Sequence, residues 1–176
     1  TEFECRFAHL TSLDVSKNVE LTSLDCWGNS LTSLDVSKNL KLSRLFCSKN
    51  ELTSLDVSKN LELENLRCSR NELISLDVSK NLELKFLHCD GNQLLTLDAT
   101  NNVNLSTLNI DNNNPLSTLF IKNGKNETVN VENNPNLTFI CADESQIESI
   151  KLERFRINPV EINSYCSFIP GGDFNT

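Results

Sequence analysis

Leu42-Ser43-Arg44-Leu45-Phe46-Cys47-Ser48-Lys49-Asn50-Glu51-Leu52-Thr53-Ser54-Leu55-Asp56-Val57-Ser58-Lys59-Asn60 is the stretch that decides the fold. It states one rule twice, L-x-x-L-x-(C/V)-x-x-N, closed first by Cys47 and Asn50 and then by Val57 and Asn60. In each half, Leu-x-Cys or Leu-x-Val sets two apolar side chains about one that points the other way. That alternation predicts a short half-buried strand. Asn ends each half, where the chain must turn inward and leaves backbone groups unpaired. A buried amide can satisfy such groups in the coils above and below.

The unit repeats in both directions. Leu34–Asn39 and Leu76–Asn81 copy the L-D-V-S-K-N of Leu55–Asn60, as does Leu13–Asn18, and Leu97–Asn102 varies it as L-D-A-T-N-N. Cys5, Cys26, Cys47, Cys68 and Cys89 recur every 21 residues. A period of this length, nested as halves of 10 and 11 residues, predicts a solenoid. Stacked coils place equivalent residues about 4.8 Å apart as parallel strands. The expected fold is a β-rich solenoid with short parallel strands on two sides and little helix. Its Leu columns build a core that no single repeat could bury alone.

Two structural ladders follow. Cys5, Cys26, Cys47, Cys68 and Cys89 fill the last apolar slot of one half-unit as small buried hydrophobes. Burial among apolar neighbours should raise their thiol pKa and keep them inert. Asn18, Asn39, Asn60 and Asn81 close the Val halves, and Asn29, Asn50, Asn71 and Asn92 the Cys halves. Seven cysteines, five of them evenly spaced, do not read as a disulfide framework, and Cys141 and Cys166 stand outside the series. No Cys or His pair has zinc-ligand spacing, so no metal is expected.

Toward the C-terminus the rule persists in Leu105-x-x-Leu108-x-Ile110, Leu116-x-x-Leu119-x-Ile121, Val129-x-Val131 and Ile147-x-x-Ile150-x-Leu152. Pro115 and Pro135 mark one-residue slips. Leu137-x-x-Ile140-x-Ala142 fits the spacing better than a strand centred on Cys141, which would expose Ile140. Roughly fifteen half-units result, or about seven to eight coils and 35–40 Å of length. Residues 1–152 are thus read as the solenoid and 153–176 as a C-terminal cap and linker, with Phe155, Ile157 and Ile162 covering the open end. Phe3-x-Cys5 aligns with Leu24-x-Cys26, so the first coil reads as cut and its N-terminal cap as absent. Such an uncovered edge leads us to expect end-to-end association.

These residues resemble the 21-residue nested class of bacterial leucine-rich repeats, and within it the internalin J-like proteins whose repeats carry a cysteine ladder. The match is close over Phe3 to Asn102 and looser to Leu152. The tail Tyr165-Cys166-Ser167-Phe168-Ile169-Pro170-Gly171-Gly172 is similar to segments that follow such repeats in large secreted flavobacterial and other Bacteroidetes proteins. The resemblance implies a right-handed leucine-rich-repeat coil in a secreted or surface-attached bacterial adhesin. It carries no family-wide ligand residues.

Composition narrows the function. A net charge of −8 argues against a nucleic-acid surface. No apolar run is long enough to insert in a membrane, and Thr1 to Leu10 has no signal-peptide core. Nothing suggests a cofactor: there is no Gly-rich phosphate loop, and His9 and His88 are the only histidines. No Ser/His/Asp or Cys/His set can be argued, so an enzyme is not expected. Asn-rich turns such as Asp111 to Asn114 are explained by the ladder rather than by Ca²⁺, and sequons at Asn104, Asn126 and Asn136 are a by-product of an Asn-rich chain.

The outward positions of the two half-units differ. The Val side repeats Asp14, Asp35, Asp56, Asp77 and Asp98, a column of like charge that suits a structural side or a repeating ligand or cation. The Cys side varies. Trp27, Arg44, Phe46, Arg67, Phe86 and His88 fall there in neighbouring coils, and aromatics and Arg are enriched at binding hot spots. Scattered surface aromatics would be the plainer reading. The leading expectation is a module binding a protein or glycan with these six residues. The alternative is a rigid spacer within a larger surface protein.

Overall fold

The computed structural model describes residues 1–154 and 160–166. In each Cys half-unit a three-residue strand is centred on the residue two before the Cys, Phe3 in the first coil and Leu thereafter: β1 (Glu2–Glu4), β2 (Ser23–Asp25), β3 (Arg44–Phe46), β4 (Asn65–Arg67) and β5 (Phe86–His88). After them come β6 (Thr96–Asp98), β7 (Thr107–Asn109), β8 (Thr118–Phe120), β9 (Thr128–Asn130) and β10 (Phe139–Cys141). Helix α1 (Glu144–Arg154) and strand β11 (Glu161–Asn163) complete the described chain. One parallel sheet runs β1-β2-β3-β4-β5-β7-β9, and a second runs β11-β10-β8-β6. The architecture is a solenoid of about seven coils with one helix among the described residues.

In the first sheet Phe3, Leu24, Leu45, Leu66, Leu87, Leu108 and Val129 stand in register. The column from Leu24 through Leu108 is fully buried, as are Cys26, Cys47, Cys68 and Cys89 beside it. Cys5, in the first coil, is half-buried. Strands on two opposite sides occur only from β6 onward. In the coils of Leu13, Leu34, Leu55 and Leu76, the Val tripeptides form no strand. There the coils are tied by Asn amides instead: Asn60 Nδ2 donates to the carbonyls of Val36 and Asn39 at 3.1 and 3.0 Å. Asn39 and Asn81 repeat the pattern. Asn18 is exposed and enters through its backbone carbonyl, which accepts from Asn39.

The Cys-side asparagines do more. Asn71 Nδ2 donates to the carbonyls of Cys47 and Cys68, and its Oδ1 accepts from Leu52 N–H. Asn29, Asn50 and Asn92 make the equivalent bonds. The Asp column also has a local cause. Asp35, Asp56 and Asp77 each accept the N–H of the Ser two residues on, at 2.8–2.9 Å, and so close the turn after the Val tripeptide.

Ten residues separate the starts of β5 and β6, but eleven separate β7 from β8 and β9 from β10. The extra residue lies in the turns that contain Pro115 and Pro135. In β10, Ile140 aligns with Leu119 and is buried, as the L-x-x-I-x-A reading requires. Phe139 and Cys141 flank it and are buried as well.

The segment Ile147-x-x-Ile150-x-Leu152, expected as another half-unit, is helical in α1. Two isoleucines three apart satisfy the repeat rule and one face of a helix equally. The start signal decides it. Gln146 N–H donates to the Asp143 carbonyl, and the Gln146 side chain accepts the Asp143 N–H at 3.3 Å, one half of a capping box. Gln146 also donates to Glu127, which Asn123 holds from the other side. Burial pushes the Glu127 carboxyl up, against these two donors. The expected boundary at 152 therefore falls inside α1, and β11 with Ile162 pairs beside β10. Cys141 and Cys166, which the spacing left unassigned, form a disulfide with a Cα–Cα distance of 4.8 Å. Phe155, Ile157, Pro159 and the tail after Cys166 lie outside the described residues.

Candidate functional site

The residue after each Cys slot leads into a turn whose next residue has a left-handed backbone. Phe7, Gly28, Lys49, Arg70, Gly91, Asn112 and Asn133 all have positive φ, one per coil. The reason lies in the backbone. In this conformation Gly28, Lys49, Arg70 and Gly91 each donate their N–H to a carbonyl of the following coil, at 2.7–3.0 Å. Glycine and asparagine tolerate it well, whereas Phe, Lys and Arg adopt it at a cost.

Beside this column, the outer face of the first sheet holds a groove of about 500 Å³. Its walls come from five coils: Arg6; Asp25 and Trp27; Phe46, Ser48 and Lys49; Arg67, Ser69 and Arg70; and His88. Trp27, Phe46, Arg67 and His88 are thus brought together. Arg44 and Phe86 are not in the groove. They occupy the column on the other side of the buried leucines, with Asn65 between them, and Arg44 pairs with Glu2.

The groove is internally organised. Arg6 bonds Asp25 at 2.6 Å, and the buried Asp25 also accepts the Trp27 N–H. Phe7 meets Trp27 edge-to-face with centroids 4.3 Å apart. Lys49 Nζ lies 4.5 Å from the Trp27 ring centre, and the Arg67 guanidinium 5.1 Å from that of Phe46. Ser48 Oγ accepts the Ser69 N–H, and the Ser69 hydroxyl donates to Asp90. Burial, and next the Arg67 charge, push the His88 imidazole down against the pull of Asp90. Nothing local in the sequence marks Lys49 and Arg70, because single charges in polar turns look solvated. The 21-residue column with Gly28 and Gly91 was the signal that links them.

The inward thiols have the opposite character. Burial pushes Cys26 up to about 12 and raises Cys47, Cys68 and Cys89 strongly. They are core atoms, remote from this chemistry.

No family model and no curated protein matches the sequence. Among solved structures, the chain is similar to the functional domain of InlJ from Listeria monocytogenes, which includes a cysteine ladder. Identity is 26% and the TM-score 0.63, over 93% of this chain and 40% of that one. An internalin, InlF, from L. monocytogenes strain 4b F2365 aligns at 18% identity and a TM-score of 0.44, over 93% of this chain and 54% of that one. The chain spans about half the length of these relatives or less. The cysteine-ladder leucine-rich-repeat solenoid expected from the residues is the fold the chain adopts.

Proposed function

We propose that this chain is an extracellular bacterial recognition module that binds a protein or glycan in the groove on the Cys-side sheet. The observation that carries the reading is the groove itself. Trp27, Phe46, Arg67 and His88, from four successive coils, converge on one concavity, while the Val side repeats the same residues coil after coil. Small and peptide ligands favour such concave surfaces with a few directed polar groups. The internalin-like fold supports a binding scaffold rather than an enzyme. The Cys141–Cys166 disulfide supports an oxidising, extracytoplasmic compartment. Among the described residues, no helix is long and apolar enough to cross a membrane.

The test is a glycan and host-protein array probed with the purified chain and with a Trp27→Ala, Phe46→Ala variant. Binding lost in the variant, with an unchanged unfolding midpoint, supports the groove as the site. An array blank for both proteins would favour a rigid spacer within a larger surface protein.

A further inference from the structure

The groove carries more charge of one sign than recognition alone requires. Arg6, Lys49, Arg67 and Arg70 line it against one lining carboxylate, Asp25, with Asp90 at its edge bonded to the Ser69 hydroxyl, in a chain of net charge −8. Arg6 is engaged by Asp25 and Glu4. Among the described residues, no carboxylate comes within ion-pair distance of Lys49, Arg67 or Arg70. Three neighbouring cations left without counter-charges, on a surface rich in carboxylates, repel one another and await an anion.

Two further observations point the same way. The rings of Trp27 and Phe46 hold the Lys49 ammonium and the Arg67 guanidinium over the groove, fixing charge where it would otherwise swing free. Lys49 and Arg70 both have φ of 53°, in a column that uses glycine at the coils on either side of them. Such strain persists only where the surrounding structure imposes it, as the inter-coil hydrogen bonds do here, and it clusters at functional sites.

We propose that the groove binds an acidic segment of a partner protein, its Asp and Glu carboxylates engaged by Lys49, Arg67 and Arg70. This rests on the reading of the groove as the recognition surface. A protein carboxylate is favoured over a sugar because a pyranose needs an open aromatic face, and Lys49 and Arg67 already cover Trp27 and Phe46. Guanidinium forks, in contrast, match carboxylates with two parallel hydrogen bonds.

The probe is fluorescein-labelled hexaglutamate, followed by anisotropy at low salt. A heparin-derived hexasaccharide and a neutral hexasaccharide run beside it. Hexaglutamate should bind the native chain, weaken as salt rises, and weaken at least about tenfold in a Lys49→Ala, Arg70→Ala variant. A Lys38→Ala, Lys59→Ala variant, altered on the other half-units, should bind like the native chain. Absent peptide binding, or equal loss in both variants, overturns the proposal. So does binding of the heparin fragment alone, which would place an anionic glycan in the groove. The two readings fail separately: an array ligand lost in Trp27→Ala, Phe46→Ala yet kept in Lys49→Ala, Arg70→Ala retains the recognition groove and overturns its anion selectivity, whereas an array blank for every variant overturns the groove reading itself.

Discussion

Asn71 Oδ1 accepts the backbone N–H of Leu52 at 3.0 Å, so a single side chain from one coil completes the turn of the previous one. The same amide donates to the carbonyls of Cys47 and Cys68. Asn71→Ala would leave the buried Leu52 N–H unpaired, at about 1–3 kcal/mol, and would cost each carbonyl one of its two amide donors, Asn50 and Asn92 remaining. Asn60, on the Val side, donates two bonds, and its buried Oδ1 has no partner. Urea unfolding should therefore show a loss of roughly 2–4 kcal/mol for Asn71→Ala and less for Asn60→Ala, whose loss orphans no backbone N–H. Equal losses would mean that the two ladders contribute through packing and not through their hydrogen bonds.

Acid stability isolates the Asp column. Asp35, Asp56 and Asp77 are held below the usual 3.8, first by the Ser N–H two residues on and then by that Ser hydroxyl. For a carboxyl lowered in the folded state, the contribution to stability is complete above the ordinary value. It is lost as pH falls through the folded one. An Asp35→Asn, Asp56→Asn, Asp77→Asn variant keeps an oxygen to close each turn but cannot be protonated there. Its urea midpoint should fall less than that of the native chain between pH 5 and pH 2. Parallel acid profiles would show that these carboxylates do not report on folding.

Periodicity explains what could be read directly from the residues. Once Cys47 and Val57 define the slots, every 21-residue step assigns a column, so the core, the Asn positions and the outward face follow. The reading fails where the period stops. Ile147 and Ile150 satisfy both the repeat and a helix, and the deciding contacts of Gln146 are with Asp143 and Glu127. Cys141 and Cys166 are 25 residues apart with no repeat to relate them, so only the fold brings them to bonding distance. Arg44 and Phe86 precede the buried leucine of their strands while Phe46 and His88 follow it, and the concavity forms on the second side alone, which the order of residues does not reveal.

Thiol chemistry offers a count that separates the two classes of cysteine. Cys5, Cys26, Cys47, Cys68 and Cys89 are free, and Cys141 is joined to Cys166. With DTNB at pH 8, the native chain should react slowly and only at the half-buried Cys5. Burial holds the other four protonated and out of reach. Concentrated guanidinium chloride without reductant should release five thiols, and prior reduction should raise the count to seven. Seven without reductant would remove the disulfide, and with it one support for an extracytoplasmic site.

Arg70 presents a test in which stability and binding should move in opposite directions. Its φ of 53° is forced by the N–H it donates to the Asp90 carbonyl, 2.7 Å away, and a glycine would make that bond without a Cβ penalty. Relief of the left-handed strain, roughly 1–2 kcal/mol, exceeds the extra chain entropy a glycine loses, roughly 0.5–1 kcal/mol. Arg70→Gly should therefore raise the unfolding free energy by about 0.5–1 kcal/mol. The same change removes one of the three unpaired cations from the groove, so affinity for an acidic peptide should fall. Natural sequences retain such strain where a side chain is needed at that point. A variant that is more stable and binds less well would place the function of this face in Arg70 itself. A less stable variant would show that the arginine stem packs usefully over the next coil, where its Cγ lies 3.2 Å from the site a Gly91 Cβ would fill.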